Sequence, residues 1–122
     1  MSKTILIIDD SPSVRQVAAI ALRGAGYEVV DAVDGKAALG KLDGRRYHLI
    51  ITDVNMPVMD GITFIREAKK LPNYRFTPIM VLTTESDERK KELGREAGAK
   101  AWLVKPFQPA QLLQAVAKLI MP

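Results

Sequence analysis

Apolar runs alternate with amphipathic segments along the whole chain. Residues 4–8, 27–32, 49–52, 79–82 and 101–104 read as five short strands. Three of them carry consecutive Ile, Leu or Val, the pattern of strands covered on both faces. Helical spacing fills the intervals. Val14, Val17, Ala18, Ala21, Leu22 and Ala25 fall on one helical face, as do Phe64, Ile65, Ala68 and Leu71, and Leu113, Val116, Ala117 and Ile120. Leu112 and Leu119 lie one position off the last stripe and read as a widening of its core face, with a partner groove as the alternative. Residues 35–42 and 87–97 complete five helices. Ser11 followed by Pro12 is an N-cap with proline at the first helical position. Asp34, Asp60 and Ser86 are placed to cap the second, third and fourth helices. Gly26, Gly44 and Gly98 follow helix ends, where a left-handed residue is wanted.

Strict β-α alternation implies an α/β fold, a doubly wound parallel sheet with helices on both faces. Right-handed crossovers leave few topologies. In such sheets ligands bind beyond the carboxyl ends of the strands. Length adds that 122 residues make one domain, residues 1–122, with no output domain expected. No stretch reaches the roughly 18–20 apolar residues of a membrane span, so membrane insertion is not expected. The opening has one lysine and four apolar residues before Asp9 and Asp10, which is no signal peptide. The absence of cysteine excludes disulfide scaffolds, thiol catalysis and cysteine metal sites, and the single histidine, His48, excludes any site needing two. A reducing cytoplasm is the expected location. The net charge of +4 raises nucleic acid as a partner, but the distribution speaks against it. Arg89, Lys90 and Lys91 are flanked by Asp87, Glu88, Glu92 and Glu96, with Asp87 facing Lys91 and Glu92 facing Arg95 across one helical turn. That is a paired, solvated surface.

The strand ends carry the candidate chemistry. The first strand runs into Asp9 and Asp10, the third into Asp53, the fourth into Thr83 and Thr84, and the fifth into Lys105 and Pro106. Singly, each reads as a turn or strand-end residue. In a parallel sheet they converge, and three carboxylates so placed repel unless cations sit among them. Lys105 neutralises one. A divalent ion with oxygen ligands, Mg²⁺ or Mn²⁺, would neutralise the rest. An exposed carboxylate, a metal, an ammonium and a hydroxyl together suit acceptance of a phosphoryl group, where positioning and charge neutralisation do the catalysis.

The set Asp9-Asp10, Asp53-Val-Asn-Met-Pro57, Asp60-Gly61, Thr83 and Lys105-Pro106-Phe107 closely resembles the receiver domain of bacterial two-component response regulators. The resemblance spans the chain and is nearest to single-domain, CheY-like chemotaxis regulators. It implies the flavodoxin-like strand order 2-1-3-4-5, which general accounts of this fold state for CheY. It implies Asp53 as phosphoacceptor from a histidine kinase. Asp10, Asp53 and the backbone carbonyl of Asn55 are implied as direct metal ligands, with Asp9 acting through water. Lys105 and Thr83 are implied to contact phosphoryl oxygens, and the Lys105–Pro106 peptide to be cis. Asn55 and Glu85 are implied to set the lifetime of the aspartyl phosphate, and Trp102 to be the switch aromatic. No organic cofactor is implied.

Two positions depart from the family pattern. Thr84 stands where Ala or Gly is usual and should narrow access to the phosphoryl group. Trp102 replaces Tyr or Phe, and is expected either to turn inward on phosphorylation or to stay inward in both states. The implied output is the face of the fourth helix, fifth strand and fifth helix. Implied partners are a chemotaxis-type kinase, a downstream protein target with the flagellar motor switch as one candidate, and a phosphatase. The chain is expected to be a monomer. A non-motor output or phosphate-sink role is the alternative. A haloacid dehalogenase-type phosphatase would need a second acid where Asn55 stands. A flavodoxin-like cofactor binder would need a phosphate-cradling loop where the two aspartates stand.

Overall fold

The computed structural model describes residues 2–120. Five strands, β1 (Thr4–Ile8), β2 (Glu28–Ala32), β3 (Leu49–Thr52), β4 (Ile79–Thr83) and β5 (Ala101–Val104), form one parallel sheet in the order β2-β1-β3-β4-β5. The helices are α1 (Pro12–Gly24), α2 (Gly35–Lys41), α3 (Gly61–Lys70), α4 (Glu88–Ala97) and α5 (Pro109–Leu119), with a 3₁₀ turn at Pro72–Tyr74.

Alternation along the strands splits the core in two. Leu6, Ile8, Ile50, Ile79 and Val81 pack with Phe64, Ile65 and Ala68 of α3 and Ala38 of α2. Ile5, Ile7, Leu49, Ile51, Met80 and Leu82 pack with Ala18 and Leu22 of α1 and Leu112 and Val116 of α5. β1, β3 and β4 are therefore apolar at almost every position, as doubly covered strands must be. β5, at the edge, is only partly buried.

Some helical positions differ from the sequence pattern. Val17, placed on the core stripe of α1, is 50% exposed, because the burying arc is narrowed to Ala18, Ala19 and Leu22. On α5 the stripe centres on Leu112, Val116 and Ile120, so Leu112 is fully buried and Ala117 faces outward. The widened core face holds for both: Leu112 is fully buried, and Leu119, half-buried, packs against the same core cluster.

Helix ends follow elementary capping. Ser11, Asp34 and Asp60 accept hydrogen bonds from the amides of Val14, Ala37 and Thr63. The cap of α4 is Asp87 rather than Ser86: its carboxylate accepts from the amides of Arg89 and Lys90. Asp87 is thus committed to the backbone, and Lys91 pairs with Glu88 while Lys90 approaches Glu85 at 3.8 Å. The Glu92–Arg95 pair forms as expected. Gly26, Gly44 and Gly98 have φ of 96°, 102° and 126°.

Parallel strands put the β-to-α loops at one edge of the sheet and the α-to-β loops, including residues 43–48 and 71–78, at the other. Among the described residues no helix is long and apolar enough to cross a membrane.

Candidate functional site

The carboxyl ends of β1, β3, β4 and β5 meet around one ammonium. Asp53 follows β3 directly, and its amide donates to the Ile8 carbonyl at 2.9 Å, fixing it beside the end of β1. Its Oδ1 accepts from the amides of Val54 (2.6 Å) and Asn55 (3.3 Å). Its Oδ2 accepts from Lys105 Nζ at 3.0 Å. Asp9 follows β1, and its amide donates to the Ala32 carbonyl at 3.2 Å. Asp9 Oδ1 accepts from the Ser11 amide at 2.9 Å and Oδ2 from Lys105 Nζ at 2.8 Å. Lys105 reaches both because its own amide donates to the Thr83 carbonyl at 2.8 Å, which holds the end of β5 against β4. The Lys105–Pro106 peptide is cis.

Electrostatics mark the site as short of positive charge. Burial pushes the Asp9 carboxyl above the usual carboxylate range, with the neighbouring Asp53 charge adding to it, despite the Lys105 and Ser11 hydrogen bonds. Burial alone would lower the Lys105 ammonium, but the hydrogen bonds it donates to Asp9 and Asp53, with the negative charge of both, outweigh burial and its pKa is raised. One ammonium therefore serves two buried acids. Asp10 is exposed, yet a carboxylate oxygen from each of Asp9, Asp10 and Asp53 lies within 4.8 Å of the others. Three hard oxygen donors with one cation between two of them fit a divalent ion such as Mg²⁺. Asp9, Asp10 and Asp53 are the side chains that could hold it.

The surrounding loops are built close. The α3 N-terminus presses on the end of β3: the Gly61 amide donates to the Val54 carbonyl at 2.8 Å, and a Cβ at Gly61 would stand 1.9 Å from the Asp53 carbonyl oxygen. Only glycine fits there. Thr83 is fully buried, and its hydroxyl accepts from the Glu85 amide at 3.2 Å. Thr84, the next residue along, is exposed. A groove of about 650 Å³ runs from Asp10 and Asn55 past Met56 toward Arg66, Lys90 and Leu93.

Trp102 is half-buried on β5 and packs against the α3-side core. Its indole N–H donates to the Glu85 carbonyl at 3.0 Å, tying β5 to the loop after β4. Room for the ring comes from Gly94 of α4, where a Cβ would lie 2.8 Å from indole Cζ3. Gly94 escapes a sequence reading, since a glycine inside a charged helix signals only lowered helix propensity. Arg15 escapes it too. It donates to the Asp9 carbonyl at 2.6 Å and pairs with Asp31 of β2 at 3.3 Å, yet in the sequence it is one more cation on an amphipathic helix.

Strand order, helix placement and the acidic pocket together define the flavodoxin-like fold of CheY. The chain belongs to the response regulator receiver domain family, whose model matches residues 5–117, and is thus a signalling domain of two-component systems. Among curated relatives it is 36% identical to the alkaline phosphatase synthesis transcriptional regulatory protein PhoP of Bacillus subtilis, over 92% of this chain and 46% of that protein. It is 37% identical to the transcriptional regulatory protein PrrA of Mycobacterium tuberculosis, over 98% of this chain and 50% of that one. The chain spans about half the length of these two relatives. Among solved structures, chemotaxis protein CheY4 of Vibrio cholerae is 45% identical with a TM-score of 0.94, covering 98% of this chain and 99% of that one. The receiver domain of sensor histidine kinase PA1611 from Pseudomonas aeruginosa, with a magnesium ion in its active site cleft, is 32% identical with a TM-score of 0.90, covering 98% of each chain.

Proposed function

We propose that this chain is a chemotaxis-type response regulator, phosphorylated on Asp53 by a histidine kinase and signalling through the face of α4, β5 and α5 in the cytoplasm. The observation that carries the chemistry is one Lys105 ammonium shared between the buried carboxylates of Asp9 and Asp53, with Asp10 beside them. Asp10, Asp53 and the Asn55 carbonyl would hold Mg²⁺ directly and Asp9 through water, and the ion would supply the positive charge that the acids and the phosphoryl oxygens need.

The remaining work belongs to side chains. The amides of Val54 and Asn55 hold one Asp53 oxygen, which orients the carboxylate. A carboxylate oxygen attacks phosphorus, the P–N bond of the donor phosphohistidine breaks, and its electron pair leaves on the imidazole. Lys105 moves from carboxylate to phosphoryl oxygen. The Thr83 hydroxyl accepts from the Glu85 amide and keeps its proton to donate to a second phosphoryl oxygen. Asn55 and Glu85 flank the site and tune hydrolysis of the aspartyl phosphate by water, the domain's own autodephosphorylation. Thr84 is exposed next to Thr83, and on this reading its branched side chain slows entry of donors. Trp102, bonded to the Glu85 carbonyl, carries the change at the Thr83 end of β4 to the output face.

The chemotaxis assignment rests on the similarity to CheY4 over nearly the full length of both chains. The similarity to transcriptional regulators supports the second reading, a receiver with a non-motor output or phosphate-sink role. Incubation with acetyl phosphate and Mg²⁺ should add one phosphoryl group by intact mass, absent in Asp53→Asn and in chelator. Labelling of Asp53→Asn to the wild-type level overturns the site. Retention of the flagellar motor switch from bacterial lysate only with beryllofluoride and Mg²⁺ supports the motor output, and its absence from the retained proteins favours the second reading.

A further inference from the structure

Arg15 sits in the first turn of α1 with a side chain only 16% exposed. Its guanidinium makes two contacts in different directions. Nη1 donates to the Asp9 backbone carbonyl at 2.6 Å, and Nε lies 3.3 Å from Asp31 Oδ2 on edge strand β2. That carbonyl belongs to the peptide joining Asp9 to Asp10. Holding it restrains the plane of the peptide, which together with the Asp10 φ sets the direction in which the Asp10 Cα–Cβ bond leaves the chain. The other atoms of the turn are already held: the Asp9 amide by the Ala32 carbonyl and the Ser11 amide by Asp9 Oδ1. Asp10 is the exposed member of the acid trio, and no side-chain hydrogen bond is assigned to it among the described residues.

A half-hidden cation on the Asp9–Asp10 peptide is, by charge alone, adverse to binding a metal cation at the neighbouring carboxylates. Asp31 offsets part of that charge from the far side. What arginine supplies in return is a rigid planar fork able to hold a carbonyl and a carboxylate at once, which a lysine cannot match.

We propose that Arg15 is a positioning residue for the metal: anchored by Asp31, it holds the Asp9–Asp10 peptide so that the Asp10 carboxylate is presented together with those of Asp9 and Asp53. This rests on the reading of the acid trio as a divalent-cation site. Positioning and electrostatics predict opposite signs, which makes the idea testable without phosphorylation. Mg²⁺ is titrated into the unphosphorylated full chain and followed by backbone amide NMR shifts, with thermal unfolding measured beside it.

Arg15→Met should weaken Mg²⁺ binding about tenfold, the usual loss when a group that orients a metal ligand is removed. Arg15→Lys keeps the charge, loses the fork and should weaken it nearly as much. Tighter binding in Arg15→Met with unchanged binding in Arg15→Lys would mean that Arg15 acts by charge alone and overturns the proposal. So would a lowered Tm with Mg²⁺ affinity unchanged well below it. If Arg15→Met does not fold, Arg15→Lys decides. Wild type and Asp10→Asn separate the two levels. No Mg²⁺ uptake by wild type defeats the metal-site reading itself. Uptake that Asp10→Asn weakens and neither Arg15 variant alters defeats only the role of Arg15.

Discussion

Val58 shows how local strain is tolerated beside the acidic site. Its φ is 71°, the one positive value for a non-glycine among the described residues, and its side chain is 76% exposed. The Met59 amide donates to the Pro57 carbonyl at 2.7 Å, closing a three-residue turn on Val58 in the rarer, strained sense. A β-branched residue held there costs roughly 1–3 kcal/mol. Val58→Gly removes that strain and adds about 0.5–1 kcal/mol of backbone entropy to the unfolded chain. The net should be a gain on the order of 1 kcal/mol, read as a higher urea midpoint at unchanged slope. The cluster of acids and ammonium was legible: Asp9, Asp53 and Lys105 stand at strand ends, and parallel pairing can only bring them together. Arg15 was not, because a helical arginine looks the same in sequence whether it meets water or a backbone carbonyl.

At the scale of elements, the seam between α4 and β5 depends on a missing side chain. Gly94 leaves space for the Trp102 ring, and alanine there would place its Cβ 2.8 Å from Cζ3. Two effects compete in Gly94→Ala. Helix propensity favours alanine by about 1 kcal/mol, while overpacking costs about 1–3 kcal/mol. The second should win, lowering stability and moving Trp102 emission to longer wavelength as the ring is pushed toward water. In Trp102→Phe, the same Gly94→Ala change should instead become neutral or stabilising. Unchanged emission in Gly94→Ala would mean that the helix, not the ring, moves. Element type was read from periodicity throughout, and strand limits differ from the sequence reading by one residue at most. Apart from the α4 cap, which falls on Asp87 rather than Ser86, the misses are rotational. Val17 and Ala117 satisfy a helical repeat but lie at the margin of the buried arc, and only the packing of helix against sheet decides which side of the margin faces water.

For the whole molecule, pH acts through a histidine far from the acidic site. His48 Nδ1 accepts the Thr4 amide at 3.0 Å while the His48 amide donates to the Thr4 carbonyl at 2.8 Å, joining the starts of β1 and β3. Burial lowers the His48 pKa, with Arg46 and Lys3 adding to the shift. Protonating Nδ1 also removes the acceptor. A depressed histidine contributes stability that is fully present above its unfolded pKa of about 6.5 and lost as pH falls through the folded value. Wild-type stability should therefore fall on acidification below about pH 6.5, and part of that slope should vanish in His48→Gln. Parallel urea titrations measure the difference, and identical slopes would remove His48 as a cause.

Strand polarity has a practical consequence for handling the protein. Every group assigned to the chemistry lies at the carboxyl edge of the sheet, and the 3₁₀ turn Pro72–Tyr74 lies at the other. The sequence contains no cysteine. Asn73→Cys, at an exposed position of that turn, would thus provide a single thiol for coupling to a sensor surface or a dye. A molecule tethered there stands with its acidic edge toward the solution, so that metal, phosphodonor and protein ligands can each be flowed past the same oriented layer.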